Sequence, residues 1–140
     1  MALKKIRLSR IDDNVNFVAT NETNNSILMD GSPSIGGKEN GVRPMETLLM
    51  GVAGCSAIDI VVILKKMKQE IRDIKVDVEG ETIKVADATE YKTIHLHFHL
   101  WGEIKEEKLK QAVDMSMTKY CSVSKILEKS AKITSEYTLH

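Results

Sequence analysis

The chain is 140 residues long, 42% apolar and 29% charged, the profile of a soluble globular protein of one domain, 1–140, with enough chain to build a core. These values exclude a disordered chain, a collagen and a disulfide-dense scaffold. Twenty basic residues balance twenty acidic ones and aromatics make up 4%, so nucleic acid is not an expected partner.

The first residues, Met1-Ala-Leu-Lys-Lys-Ile-Arg, are basic but lead into no apolar segment with a small-residue cleavage site, so no targeting signal is read there. Short apolar clusters follow at Ile6 and Leu8, at Val15, Phe17 and Val18, and at Ile27, Leu28 and Met29. Turn-forming Asp12-Asp13-Asn14 and the stretch 21–26 separate them, which predicts a meander of three strands. Residues 30–43, rich in Gly, Ser and Asn, read as a long exposed loop of the kind that is often functional or mobile.

Pro44 then opens a helix expected to run to about Glu70, since proline is well placed at a first helical position. Its segment Leu48–Leu64 is apolar nearly all round but carries Asp59. A spanning helix needs roughly 18 uninterrupted apolar residues, and a central charge is costly in lipid. The segment therefore reads as a buried helix, with no membrane partner and the cytoplasm as the expected compartment. A helix apolar on every side must be covered on every side, which points to a homodimer. Gly51 and Gly54 mark points where another backbone could approach.

Alternation resumes at Ile74, Val76 and Val78, and again over Tyr91–Trp101, where Ile94, Leu96, Phe98 and Leu100 share one strand face and His95, His97 and His99 the other. Residues 104–119 follow a helical period, Tyr120-Cys121-Ser122 interrupts it, a short helix is expected over 123–129, and Ile133–Leu139 reads as a last strand. Segregated strands and helices of this kind predict an α+β fold rather than alternating βαβ units. Neither a GxGxxG nor a GxxxxGK[ST] pattern occurs, so no nucleotide cofactor is expected.

The chemistry-bearing candidates are few. Cys55 and Cys121 lie 66 positions apart, which fits neither a CxxC redox motif nor a zinc knuckle. Cys55 is mid-helix, where the dipole no longer helps a thiolate. Cys121 lies at a helix start, where backbone N–H groups would favour one. Asp59 follows Cys55 by one turn and shares its side of the helix. The three histidines could ligate a metal, but no Cys or carboxylate at strand or helix spacing completes the set, so they read as a polar sheet face and no metal site is assigned.

The segment Pro44-Met45-Glu46-Thr47-Leu48-Leu49-Met50-Gly51-Val52-Ala53-Gly54-Cys55-Ser56-Ala57-Ile58-Asp59 resembles the first cysteine motif of the OsmC/Ohr superfamily, and Lys119-Tyr120-Cys121-Ser122-Val123 resembles the second. The resemblance covers essentially the whole chain. It implies an intertwined homodimer with long central helices buried against antiparallel sheets. It also implies a thiol peroxidase that reduces organic hydroperoxides in oxidative-stress defence, without a cofactor. Carried over, Cys55 is the attacking thiolate, Cys121 the resolving thiol, and an external dithiol the reductant. Met45, Glu46 and Met50 would line the substrate pocket. Met45 stands where the family usually places a glutamate that orients an activating arginine, and Glu46 falls on roughly the opposite helix face from Cys55. Arg43 is the best-placed activating cation, with Arg10 second. The other reading is a dimeric small-molecule-binding protein on the same fold with weakly reactive thiols.

Overall fold

Polar–apolar alternation over residues 94–100 becomes a strand with one buried face in the structure, a computed structural model that describes residues 1–140. The architecture is α+β with two three-stranded sheets, and the chain divides into the units Met1–Leu48 and Leu49–His140.

The N-terminal unit is the predicted meander: β1 (Ile6–Arg10), β2 (Phe17–Asn21) and β3 (Ser26–Met29) pair antiparallel in that order. Its buried residues are polar. Asn16 Nδ2 donates to the Met29 carbonyl at 2.9 Å. Asp30 accepts the backbone N–H groups of Gly31, Lys38 and Asn40. The bonds from Lys38 and Asn40 hold the Asp30 carboxyl below its usual range. The segment read as a long open loop is thus gathered around one carboxylate, with a short 3₁₀ turn at Pro33–Ile35 and a bridge from Met29 to Val42. The apolar side chains Ile6, Leu8, Ile27 and Leu28 of this sheet remain exposed.

Helix α1 (Pro44–Lys66) starts where proline predicts it. Glu46, in its first turn, accepts the Arg43 backbone N–H at 2.8 Å, half of a capping box. The helix ends four residues before the predicted Glu70. Lys68 adopts φ 59°, and the Gln69 N–H turns back to the Leu64 carbonyl, which closes the helix and releases the chain into a strand. By length and composition α1 could cross a bilayer. Here Val52, Ser56, Ile60 and Leu64, spaced four apart, form its buried stripe.

In the C-terminal unit β4 (Glu70–Val85) and β5 (Ala88–Glu103) form a long antiparallel hairpin. Both are longer than the alternating segments alone indicated. A register shift near Ile71 and Asp73 lies beside Gly102, whose φ of 140° and 2.1 Å approach of a notional Cβ to the Glu70 carbonyl admit only glycine. Next come α2 (Glu106–Met115), a π turn (Ser116–Tyr120), α3 (Ser122–Leu127) and β6 (Lys132–Leu139). The antiparallel expectation holds for β4 and β5, but β6 runs parallel to β5. The physical reason is the connection: two helices lie between these strands, and a crossover of that length returns the chain in the same direction.

The core of this unit is aliphatic around one aromatic. Phe98, Ile94, Leu96 and Leu100 on β5 are fully buried, together with Ile60, Leu64 and Leu109. Phe98→Ala should lower stability by about 3–5 kcal/mol through cavity formation, read as a drop in the urea midpoint. Lys92→Ala, on the exposed side of the same strand, should stay within about 0.5 kcal/mol of the native chain.

Candidate active site

Cys55 and Asp59 are one helical turn apart on α1, so their side chains project from the same flank. That flank adjoins the buried stripe, which leaves Cys55 half-buried. Cys121 arrives from far along the chain through the π turn. The Cys121 N–H bonds to the Ser116 carbonyl at 2.8 Å, a five-residue reach that widens the last turn after α2. Such insertions re-aim the chain and recur at functional sites.

Two contacts fix this turn. Ser116 Oγ, fully buried, donates to Asp59 Oδ2 at 3.0 Å and lies 3.4 Å from the Ser56 carbonyl on α1. Cys121 caps α3, its Sγ accepting the Ser124 N–H at 3.4 Å. The result is that Cys55 Sγ, Cys121 Sγ and an Asp59 carboxylate oxygen all lie within 4.8 Å of one another. Both cysteines are free thiols. A disulfide requires the sulfurs to close to about 2.05 Å, a movement of at most about 3 Å.

The electrostatics of the pair are uneven. Burial pushes the Cys121 thiol up to about 11, and the neighbouring Cys55 and Asp59 push the same way against the Ser124 N–H. The expectation that a helix start would favour a Cys121 thiolate is therefore corrected. One N–H bond from a six-residue helix does not offset complete burial beside a carboxylate. Cys55 is the more accessible sulfur.

Beyond Asp59 lies a cleft of about 430 Å³. Val62, Ile63, Met67, Met115 and Tyr120 supply its apolar and aromatic wall, and Asp59 and Lys66 its charges. The sequence reading singled out Asp59 beside Cys55 but did not gather these residues into a cleft. A signal was available, since Cys55, Asp59, Val62, Ile63 and Lys66 follow i, i+4, i+7, i+8 and i+11 spacing along α1.

The other predicted residues are placed as follows. Met45 is half-buried in the first turn of α1, Glu46 is exposed and engaged with the Arg43 backbone, and Met50 is exposed. Arg43 belongs to the N-terminal unit, where it lines an apolar cleft with Leu8, Phe17 and Met29, and its charge contributes to lowering Asp30. Gly51 meets only the Val123 side chain, and Gly54 faces open space.

The three histidines lie on the exposed face of β5, but they are not short of carboxylates. His95 Nε2 lies 2.5 Å from Glu136 Oε2 on β6, and His99 Nε2 lies 3.1 Å from Asp77 Oδ2 on β4. His97 Nε2 bonds to Thr138 Oγ1 at 2.7 Å. Spacing within one strand could not reveal these partners, because sheet register supplies them: Asp77 and Glu136 both stand opposite His97. The hydrogen bond from His95 holds Glu136 below the usual carboxylate range.

Comparison with known proteins places these features in a family setting. The sequence profile described as OsmC-like protein matches residues 36–136. Protein YhfA of Escherichia coli strain K12 is 37% identical over 126 residues, 89% of this chain and 90% of its own. A hypothetical protein from Aquifex aeolicus superposes with a TM-score of 0.81 at 30% identity, over 100% of this chain and 99% of its own. The organic hydroperoxide resistance protein OhrB of Bacillus subtilis superposes with a TM-score of 0.69 at 15% identity, over 98% of each chain, a likeness of fold.

The Cys121 thiol carries a pH signature. The folded chain keeps its proton up to about pH 11, whereas an unfolded cysteine releases it near 9.0. Between these values the unfolded state binds fewer protons, so stability falls as pH rises. Urea midpoints should therefore decline between pH 9.0 and about 11, and Cys121→Ala should flatten that decline.

Proposed function

The chain belongs to the OsmC-like protein family, and on that premise we propose that it is a thiol-dependent peroxidase for organic hydroperoxides. The observation that carries the reading is the half-exposed Cys55 sulfur within 4.8 Å of the buried Cys121 sulfur. Organic hydroperoxide resistance proteins share the fold.

In the proposed cycle the Cys55 thiolate attacks the terminal peroxide oxygen. The O–O bond breaks, the departing alkoxide takes a proton to become an alcohol, and Cys55 becomes a sulfenic acid. Cys121 then attacks that sulfur, forming the S–S bond and releasing water. An external dithiol, expected in a reducing cytoplasm, restores both thiols. The roles follow from environment: the accessible sulfur meets the peroxide, and the buried, proton-retaining one enters second. The apolar cleft beside Asp59 favours an organic substrate over hydrogen peroxide. Arg43 as the activating cation, and Met45, Glu46 and Met50 as substrate contacts, rest on position in the family motif alone.

The same proposal includes a homodimer. Met50, Gly54, Ile58 and Val62 form an exposed stripe along α1, two residues out of phase with the buried one and so on the opposite face. Ile58 is 66% exposed. Burying an Ile or Met of this kind stabilises by about 1.5–3 kcal/mol. Several such residues, with Gly54 admitting close approach, supply a dimer interface.

The test is a thiol count before and after one equivalent of cumene hydroperoxide, with peptide mapping. Rapid loss of both thiols to a Cys55–Cys121 link, and loss of turnover in Cys55→Ser, is the expected result. Two thiols that survive excess peroxide would overturn it and favour the small-molecule-binding reading, for which Asp59 and the raised Cys121 speak. Gel filtration with light scattering should give twice the monomer mass, and Ile58→Glu should shift it toward one.

A further inference from the structure

Asp59 has no role in the peroxidase cycle, and its charge works against a thiolate at Cys121. Yet it is held in place: Ser116 Oγ donates to it at 3.0 Å, and it takes part in none of the four ion pairs of the chain. Its oxygen and the two sulfurs all lie within 4.8 Å of one another. In a tetrahedral site with metal–sulfur bonds of about 2.3 Å, ligand atoms stand roughly 3.8 Å apart. The present spacing needs only a small contraction to reach this.

We propose that Cys55, Cys121 and Asp59 form a binding site for a divalent zinc ion. Two soft thiolates with one carboxylate suit zinc better than magnesium or calcium, which prefer oxygen ligands alone. Three protein ligands leave the fourth position for water. Outer contacts that orient ligands are also present: Ser116 holds the carboxylate, and the Ser124 N–H points at Cys121 Sγ at 3.4 Å. Binding is an exchange without oxidation: the zinc ion forms bonds to both sulfurs, and the two thiol protons leave to solvent. While it is bound, the sulfur lone pairs are engaged and the site is closed to electrophiles. The binding stands on the triad alone. Its meaning as regulation, a reversible block on hydroperoxide reduction, rests on the peroxidase reading.

The experiment uses the reduced, metal-free full chain. One equivalent of zinc should bind per chain, release protons, and slow iodoacetamide alkylation of both cysteines at least tenfold, with EDTA restoring the rate. Cobalt in its place should show a thiolate-to-metal charge-transfer band. Asp59→Asn removes a ligand and should weaken zinc binding by at least about a hundredfold, the upper range for loss of a mere supporting group. Cys55→Ser, which leaves one thiolate, should roughly halve the cobalt band, while loss of both cysteines abolishes it. Unchanged alkylation with zinc present would overturn the site. So would stoichiometric binding that survives loss of both cysteines, which would place the ion at His95 and Glu136. If zinc protects the thiols but the metal-free chain forms no disulfide with cumene hydroperoxide, the metal site stands and the peroxidase reading fails.

Discussion

The hydrogen bond from Ser116 to Asp59 joins the two halves of the thiol site. It lies inside the C-terminal unit, where Ser116 is fully excluded from water and lies between Asp59 and the Ser56 carbonyl. An unmade bond there would leave the buried hydroxyl only the longer, 3.4 Å contact with the Ser56 carbonyl, which is costly. The π turn that begins at Ser116 is therefore anchored to α1 at its first residue. Five residues later it delivers Cys121 to Cys55.

That anchorage is affordable because the surrounding core is rigid. Phe98 and its aliphatic neighbours on β5, with Leu64 and Ile60 on α1 and Leu109 on α2, are fully buried. Close-packed interiors tolerate little displacement, so the helices that carry the sulfurs are held to small movements. The parallel pairing of β6 with β5 adds to this, since α2, the π turn and α3 all lie in the crossover between them. The loop that carries Cys121 is thus tied at both ends to one sheet.

Charge sets the chemical character of the pair. Asp59 and burial act together to keep Cys121 protonated, while Cys55 is left accessible. An arrangement of two sulfurs and a carboxylate with no ion pair to Asp59 calls for a positive charge. The proposed zinc ion would supply one.

Much of this protein was legible in the residues themselves. Alternation over Ile94–Leu100 and the clusters of the first thirty residues gave the strands, because a two-residue period is a local property of the chain. Pro44 marked the start of α1 for the same reason. The motifs around Cys55 and Cys121 indicated the family, which the match over residues 36–136 and a 37% identical relative bear out. What depends on contacts far apart in the chain was not legible. The parallel β6, the carboxylates beside the histidines and the Ser116–Asp59 bond join residues that no short spacing connects, while the early end of α1 and the gathering of the 30–43 loop around Asp30 are local turns that composition alone did not reveal. The sequence by itself determined the elements and the identity of the two thiols. Only tertiary structure decided that Asp59 stands beside both sulfurs and that Cys121 holds its proton, because burial and the proximity of charges belong to the packed chain and not to any segment of it.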